Sequence, residues 1–237
     1  MSSPAKIFAA LVVAAAVVAL GMWLWLRSGS VDPTETVAAD PTPVAAPTPT
    51  PTLAERLSER LVGTTLATSD AVVRELVSEL SSRPELASWL ANEDLVRRFV
   101  AGVDNTDNGI SPTRQLEFLR PKTGFAVIEK GDELVIDPSS YARYDLATRV
   151  FVSLDTEGTV ALYRELEPLM DDAFAEISPP GTRFSDRLEA AIDHLLEVTP
   201  PTGPLEVERR VVTYAYTDER LEGLSEALRQ EGIDSGV

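Results

Sequence analysis

Hydrophobic and polar positions divide this chain into three regimes. Residues Ile7–Leu26 (IFAALVVAAAVVALGMWLWL) carry no charge and are closed by Lys6 on one side and Arg27 on the other. About 20 such residues at 1.5 Å rise cover the roughly 30 Å hydrocarbon core of a bilayer, so this run predicts a transmembrane helix. Residues 27–52 have no apolar period. Their closely spaced prolines (VDPTETVAADPTPVAAPTPTPT from Val31 to Thr52) forbid helix, remove sheet donors and predict an extended tether. From Leu53 to Val237 a helical period takes over. It predicts a single domain, mainly α with a small β element, an α+β fold.

Within that domain the spacing predicts helices over Leu53–Leu61 and Ser69–Leu80, the second with Val72, Val73, Leu76, Val77 and Leu80 on one face. A third is predicted to start at Asn92, with Glu93 and Asp94 in its positive first turn. It should stop in the turn-favouring run Asp104–Gly109. The period then shortens over Leu116–Leu119, Phe125–Glu129 and Glu133–Ile136. Lys130-Gly131-Asp132 between the last two predicts a hairpin turn. Asp137-Pro138 should open a helix over Tyr141–Leu154. Asp155 or Thr156 should cap a long helix that Pro168 kinks. Ser185–Val198 predicts another helix, Leu205–Tyr216 an extended segment, and Asp218–Gln230 a last helix.

Composition changes this picture in two ways. The chain has no cysteine, so thiol nucleophiles, disulfides, cysteine zinc sites and iron–sulfur clusters are excluded. Its net charge is -17, and Lys6 and Arg27 are the only charges in residues 1–27, so residues 28–237 carry -19. Such a surface repels phosphate backbones, which argues against nucleic acid as a partner. The apolar run is longer than a signal-peptide core and lacks small residues where cleavage needs them; Met22-Trp23-Leu24-Trp25 stand there instead. An uncleaved anchor is therefore expected. Lys6 and the α-amine place residues 1–6 in the cytoplasm and the domain outside the inner membrane, in the periplasm.

Four groups of residues invite chemistry. His194 is the only histidine, near the end of a predicted helix, where the dipole favours a cation. A triad around it would need a serine and a carboxylate supplied by the fold, since no Gly-x-Ser-x-Gly elbow exists. Asp104 and Asn105 open a run that resembles a calcium loop, but Gln115 stands where a bidentate glutamate is needed, so no metal or other cofactor is expected. Arg143 and Asp145 stand among Tyr141 and Tyr144. They read either as a buried ion pair or as a pocket in which Arg143 grips a carboxylate such as a partner's C-terminus. Paired carboxylates such as Asp171-Asp172 and Glu165/Glu167 suggest, as the alternative, hydrolysis of an envelope polymer.

Several short motifs stand in a fixed order. They are Val103-Asp104-Asn105, Tyr141-Ala142-Arg143-Tyr144-Asp145, Ser153-Leu154-Asp155, Leu162-Tyr163-Arg164, Pro168-Leu169, Asp193-His194-Leu195-Leu196, and Tyr214-x-Tyr216-x-Asp218 followed by Leu221-Glu222. Over roughly Ser69 to Glu226 the chain thereby resembles the bacterial family labelled domain of unknown function 3014. The resemblance implies an anchored protein with a Pro-rich spacer and carries no activity over. It also implies a Leu-rich basic continuation after Leu221-Glu222; here Ser225–Val237 is acidic instead. The expectation is an acidic, bitopic envelope protein, anchored in lipid through Ile7–Leu26. Its domain binds an unidentified envelope protein or polymer and is not an enzyme. The candidate binding residues are Arg143, Tyr141, Tyr144, Asp145, Asp104, Asn105 and His194.

Overall fold

The computed structural model describes residues 51–199, 201–211 and 213–229. The predicted span Ile7–Leu26 and the tether up to residue 50 lie outside the described residues. Among the described residues no helix is long and apolar enough to cross a membrane.

Nine helices and four strands are present among the described residues. Helix α1 (Leu53–Leu61) starts in a capping box, with Thr52 Oγ1 accepting from Glu55 N at 3.2 Å and Glu55 reaching back to Thr52 N at 2.7 Å. A 3₁₀ turn (Leu66–Thr68) leads into α2 (Ser69–Ser78), and Pro84 at the first helical position opens the short α3 (Pro84–Trp89). Helix α4 (Leu95–Asp107) begins three residues later than the sequence predicts. Asn92 is not its cap, since its side chain donates to Trp89 O. The Asp70 carboxylate on α2 accepts Asp94 N–H at 2.7 Å and Leu95 N–H at 2.9 Å, so a neighbouring helix supplies the cap. Asp94, at φ 56, turns the chain into it.

Strands β1 (Val127–Lys130) and β2 (Glu133–Ile136) form the predicted hairpin, and Gly131 supplies the left-handed turn residue at φ +65. The helix predicted over Tyr141–Leu154 is two helices, α5 (Pro138–Ala142) and α6 (Asp145–Val152). Helix α7 (Thr156–Ala175) runs through Pro168, and α8 (Phe184–Leu196) follows. The extended segment Leu205–Tyr216 is a second hairpin, β3 (Glu206–Arg209) with β4 (Tyr214–Tyr216). The last helix, α9, is short (Glu219–Glu222). Gly223 ends it, and the chain turns again at Glu226–Leu228 rather than continuing as one helix.

Helices α4, α7 and α8 pack on each other, with α1 and α2 against α7 and α4. Their core holds Leu76, Val100, Leu166, Phe174 and Phe184. The sheet is antiparallel in the order β1-β2-β3-β4 and has its own core of Ile136, Tyr141, Val207 and Tyr216. Phe125, just ahead of β1, meets Tyr214 on β4 with ring centroids 5.7 Å apart, so the sheet curls around that core. Two contacts tie the last segment to the helices. Ala227 N–H donates to Gly109 O at 3.2 Å, and His194 bonds Ser225 at 2.9 Å.

Gly158 gives a measurable check on this packing. Asp155 caps α7 by accepting Gly158 N–H at 2.7 Å, and a Cβ at Gly158 would lie 2.5 Å from that carboxylate oxygen and 3.0 Å from Leu80 Cδ2. Gly158→Ala recovers about 1 kcal/mol of helix propensity. It also breaks a cap worth about 1 kcal/mol and overpacks a site at a cost of about 1–3 kcal/mol. The expected result is a net loss of about 1–3 kcal/mol in denaturant unfolding. A gain in stability would show that the helix start relaxes freely.

Candidate binding site around Arg143

The break between α5 and α6 builds the site. Asp137 caps α5 by accepting Ser139 N–H at 2.7 Å, and Pro138 fixes its first turn. Ser140 is fully buried. Its hydroxyl accepts Ala126 N–H at 2.8 Å and donates to Ala126 O at 2.9 Å, which pins α5 to the start of β1. The chain then turns at Arg143 and Tyr144, where Tyr144 N–H reaches Tyr141 O in a tight turn. Arg143 is thereby placed with its guanidinium carbon 6.0 Å from the centre of the Phe125 ring and 5.8 Å from that of Tyr144. These two cation–π contacts together are worth roughly 1–2 kcal/mol.

Nε and Nη1 of Arg143 are both buried and have no acceptor among the described residues, and the buried hydroxyl of Tyr141 also lacks a partner there. Asp145 is not its counter-ion. It pairs one helical turn on with Arg149, at 3.7 Å, so the buried ion pair weighed from the sequence does not form. Nε–H and Nη1–H leave the guanidinium on different sides, so each donor can meet a single anionic oxygen in a charge-assisted hydrogen bond. Chemically, the site offers an anion two unpartnered cationic donors beside the Phe125 and Tyr144 rings.

Burial shapes the phenols beside it. Desolvation pushes the Tyr141 hydroxyl up to about 12. Tyr216 rises well above the usual tyrosine range, first by burial and further by the phenols of Tyr141 and Tyr144 and the carboxylate of Glu222. Burial likewise pushes Tyr163 up to about 12. Each raised group stabilises the fold fully below the unfolded value near 10, and that contribution is lost as pH rises through the folded value. Phenolate absorbance in an alkaline titration is therefore expected to lag at these tyrosines until the fold itself is lost, between about pH 10 and pH 12. Reversible ionisation of all five tyrosines near pH 10 with the fold intact would contradict the burial.

The other sequence candidates lie elsewhere. Asp104 and Asn105 are not in a loop but in the last turn of α4, and Ile110 N–H bonds Asn105 O at 2.8 Å. Acids at a helix C-terminus are unfavourable, and Arg187 from α8 offsets them. It pairs with Asp104 at 3.2 Å and with Asp107, its guanidinium carbon 5.8 Å from the centre of the Phe174 ring. Both carboxylates thus serve to join α4 to α8. Among the described residues no group of three or more His, Asp or Glu is placed to hold a metal.

At His194 the fold does bring up a serine and a carboxylate. Nε2 lies 2.9 Å from Ser225 Oγ, and Nδ1 lies 3.6 Å from Glu197 Oε2. The second distance is beyond a hydrogen bond, and Glu197 is 71% exposed, so the carboxylate does not lock the ring as a triad needs. The contact works as a clasp on the last segment. Two of the four carboxylates of the hydrolase alternative are engaged: Glu167 pairs with Arg183 at 3.0 Å, and Asp171 accepts Phe184 N–H at 2.9 Å.

The sequence singles out Arg143 and its tyrosines but not the residues that wall them. Tyr214 and Tyr216 come from the sheet, Phe125 from the segment just ahead of β1, and Glu222 from α9, where its carboxylate accepts Tyr216 N–H at 2.9 Å. The motif order held the only signal. Tyr141-x-Arg143-Tyr144 and Tyr214-x-Tyr216, far apart in the chain, converge in the sheet core, with Leu221-Glu222 beside them.

Comparison with known proteins agrees with that motif order. No curated protein and no solved structure matches the chain. A family model described as a protein of unknown function (DUF3014) matches residues 95–230, from the start of α4 to just beyond the clasped segment. That stretch is more than half of the chain and contains the whole Arg143 site, so the chain belongs to the domain of unknown function 3014 family.

Proposed function

We propose that this protein is a non-enzymatic binding module of the cell envelope that captures a carboxylate at Arg143. One observation carries the reading: two buried nitrogens of a single guanidinium, Nε and Nη1, with no acceptor among the described residues. A buried unpaired donor costs about 1–3 kcal/mol, which a ligand oxygen recovers on binding. The apolar run Ile7–Leu26 and the Pro-rich stretch after it support a single-pass anchor in the inner membrane, with the domain held off the bilayer in the periplasm. The net charge of -17 makes selectivity necessary, since long-range repulsion disfavours anions that do not meet these local donors.

The test is a titration of the isotope-labelled full chain with N-acetyl-L-alanine, following the side-chain Nε–H resonance of Arg143. That resonance is assigned by its loss in Arg143→Met. A saturable shift with the acid, and none with N-acetyl-L-alanine amide, is the expected result. An unmoved resonance at tens of millimolar acid would sink the reading.

A further inference from the structure

The carboxylate reading leaves open what carries the carboxylate, and the sheet bears on this. Of its two outer strands, β4 is blunted: the outward N–H of Tyr216 is taken by the Glu222 carboxylate at 2.9 Å. Among the described residues the outer edge of β1 has no such cover. Asp137 N–H donates to Ala126 O and Ile136 N–H to Leu205 O, so in this register Ala126, Ile128 and Lys130 turn their backbone groups towards β2. Val127 and Glu129 turn theirs outward, and among the described residues those groups have no hydrogen-bond partner. The Val127 end of this bare edge leads to Phe125, against whose ring the Arg143 guanidinium rests. Charged residues, which guard exposed edges against pairing, stand only at the other end, at Glu129 and Lys130.

We propose that the ligand is the C-terminus of another polypeptide, added as a strand on β1 with its terminal carboxylate on Arg143. This inference rests on the carboxylate reading above. The geometry gives it a direction. Since Arg143 lies at the start of β1, the added strand ends there and runs antiparallel to β1. Outward groups at Val127 and Glu129 give two anchoring positions, and main-chain bonds of this kind supply affinity with little demand on sequence. The aromatic ring of Phe125 beside the guanidinium favours an apolar last residue. The acidic surface favours basic residues upstream of it.

The probe is a pool of hexapeptides with free C-termini, randomised at all positions and presented to the full chain. The strongest binder is then measured by fluorescence anisotropy in three forms: free acid, C-terminal amide, and free acid N-methylated at alternate amides. Amidation is expected to weaken binding at least tenfold, and N-methylation in one of the two alternating registers by a similar factor. On the protein side, Glu129→Pro removes one outward donor at an exposed position and leaves the pairing with β2 in place. It is expected to weaken the free acid about tenfold. The methylated peptides give the answer without altering the protein if this variant fails to fold. If amidation abolishes binding while methylation in both registers and Glu129→Pro leave it unchanged, strand addition is wrong and the carboxylate reading stands. If no hexapeptide binds at millimolar concentration, the inference is overturned, and the N-acetyl-L-alanine titration alone decides the carboxylate reading.

Discussion

Phe184→Ala is expected to lower stability by about 3–5 kcal/mol, more than any surface change in this protein. Phe184 is 0% exposed. Its ring meets Phe174 edge-on at 6.0 Å and Phe99 edge-on at 5.8 Å, so one side chain joins α8 to both α7 and α4. Each such pair adds about 0.5–1.5 kcal/mol beyond buried area. Collapse of the site is resisted from the backbone, because Asp171 on α7 holds Phe184 N–H at 2.9 Å and fixes where α8 begins. The truncation therefore leaves most of its cavity open. For a domain of this size the loss corresponds to a fall of roughly 10 °C in melting temperature. Thermal unfolding followed by near-ultraviolet circular dichroism reads it directly. Phe184→Leu, which keeps much of the volume, should cost about 1.5 kcal/mol or less. A melting temperature for Phe184→Ala within two or three degrees of the parent would mean that the α8 start is not the keystone of the helical core.

The same residue marks what the sequence does and does not disclose. A helix over Ser185–Val198 is legible because Leu188, Ala191, Ile192 and Leu195 recur at helical spacing. Phe184 falls just outside that pattern, after Pro179-Pro180-Gly181, and its burial depends on an acid thirteen residues earlier. The start of α4 escapes the sequence for the same reason: its cap is Asp70, on another helix, and no local rule can see it. Hairpin β1–β2 is legible because its turn chemistry is local. The second hairpin is not, since Glu206–Tyr216 carries charges at Glu208, Arg209 and Arg210 and declares itself only by pairing with β2. At the candidate site, Arg143 stands out in sequence as a charge among tyrosines. Its want of a partner does not, because Asp145 two residues on looks like one. Only the break after α5 sends Asp145 to Arg149 and Arg143 to Phe125.

Arg143→Met is expected to stabilise the fold while removing its ligand. As it stands, Arg143 places two buried N–H groups where no described residue accepts them. Each unsatisfied buried donor costs about 1–3 kcal/mol. Set against this are the contacts of the guanidinium with Phe125 and Tyr144, worth roughly 1–2 kcal/mol. Methionine fills most of the same volume, adapts to irregular gaps and makes favourable contacts with aromatic rings, so part of the second term is kept. The balance is a gain of about 1–2 kcal/mol in denaturant unfolding, consistent with how buried charges respond to apolar replacement. The sign is what matters. A side chain kept for packing loses stability when replaced; one kept for a ligand can gain it, since binding sites hold groups the fold alone would not choose. Arg143→Met that melts several degrees higher and no longer responds to N-acetyl-L-alanine would place the arginine in the second class. The same variant melting lower, with loss of the sheet core signal from its tyrosines, would place it in the first and make Arg143 a structural strut between Phe125 and Tyr144.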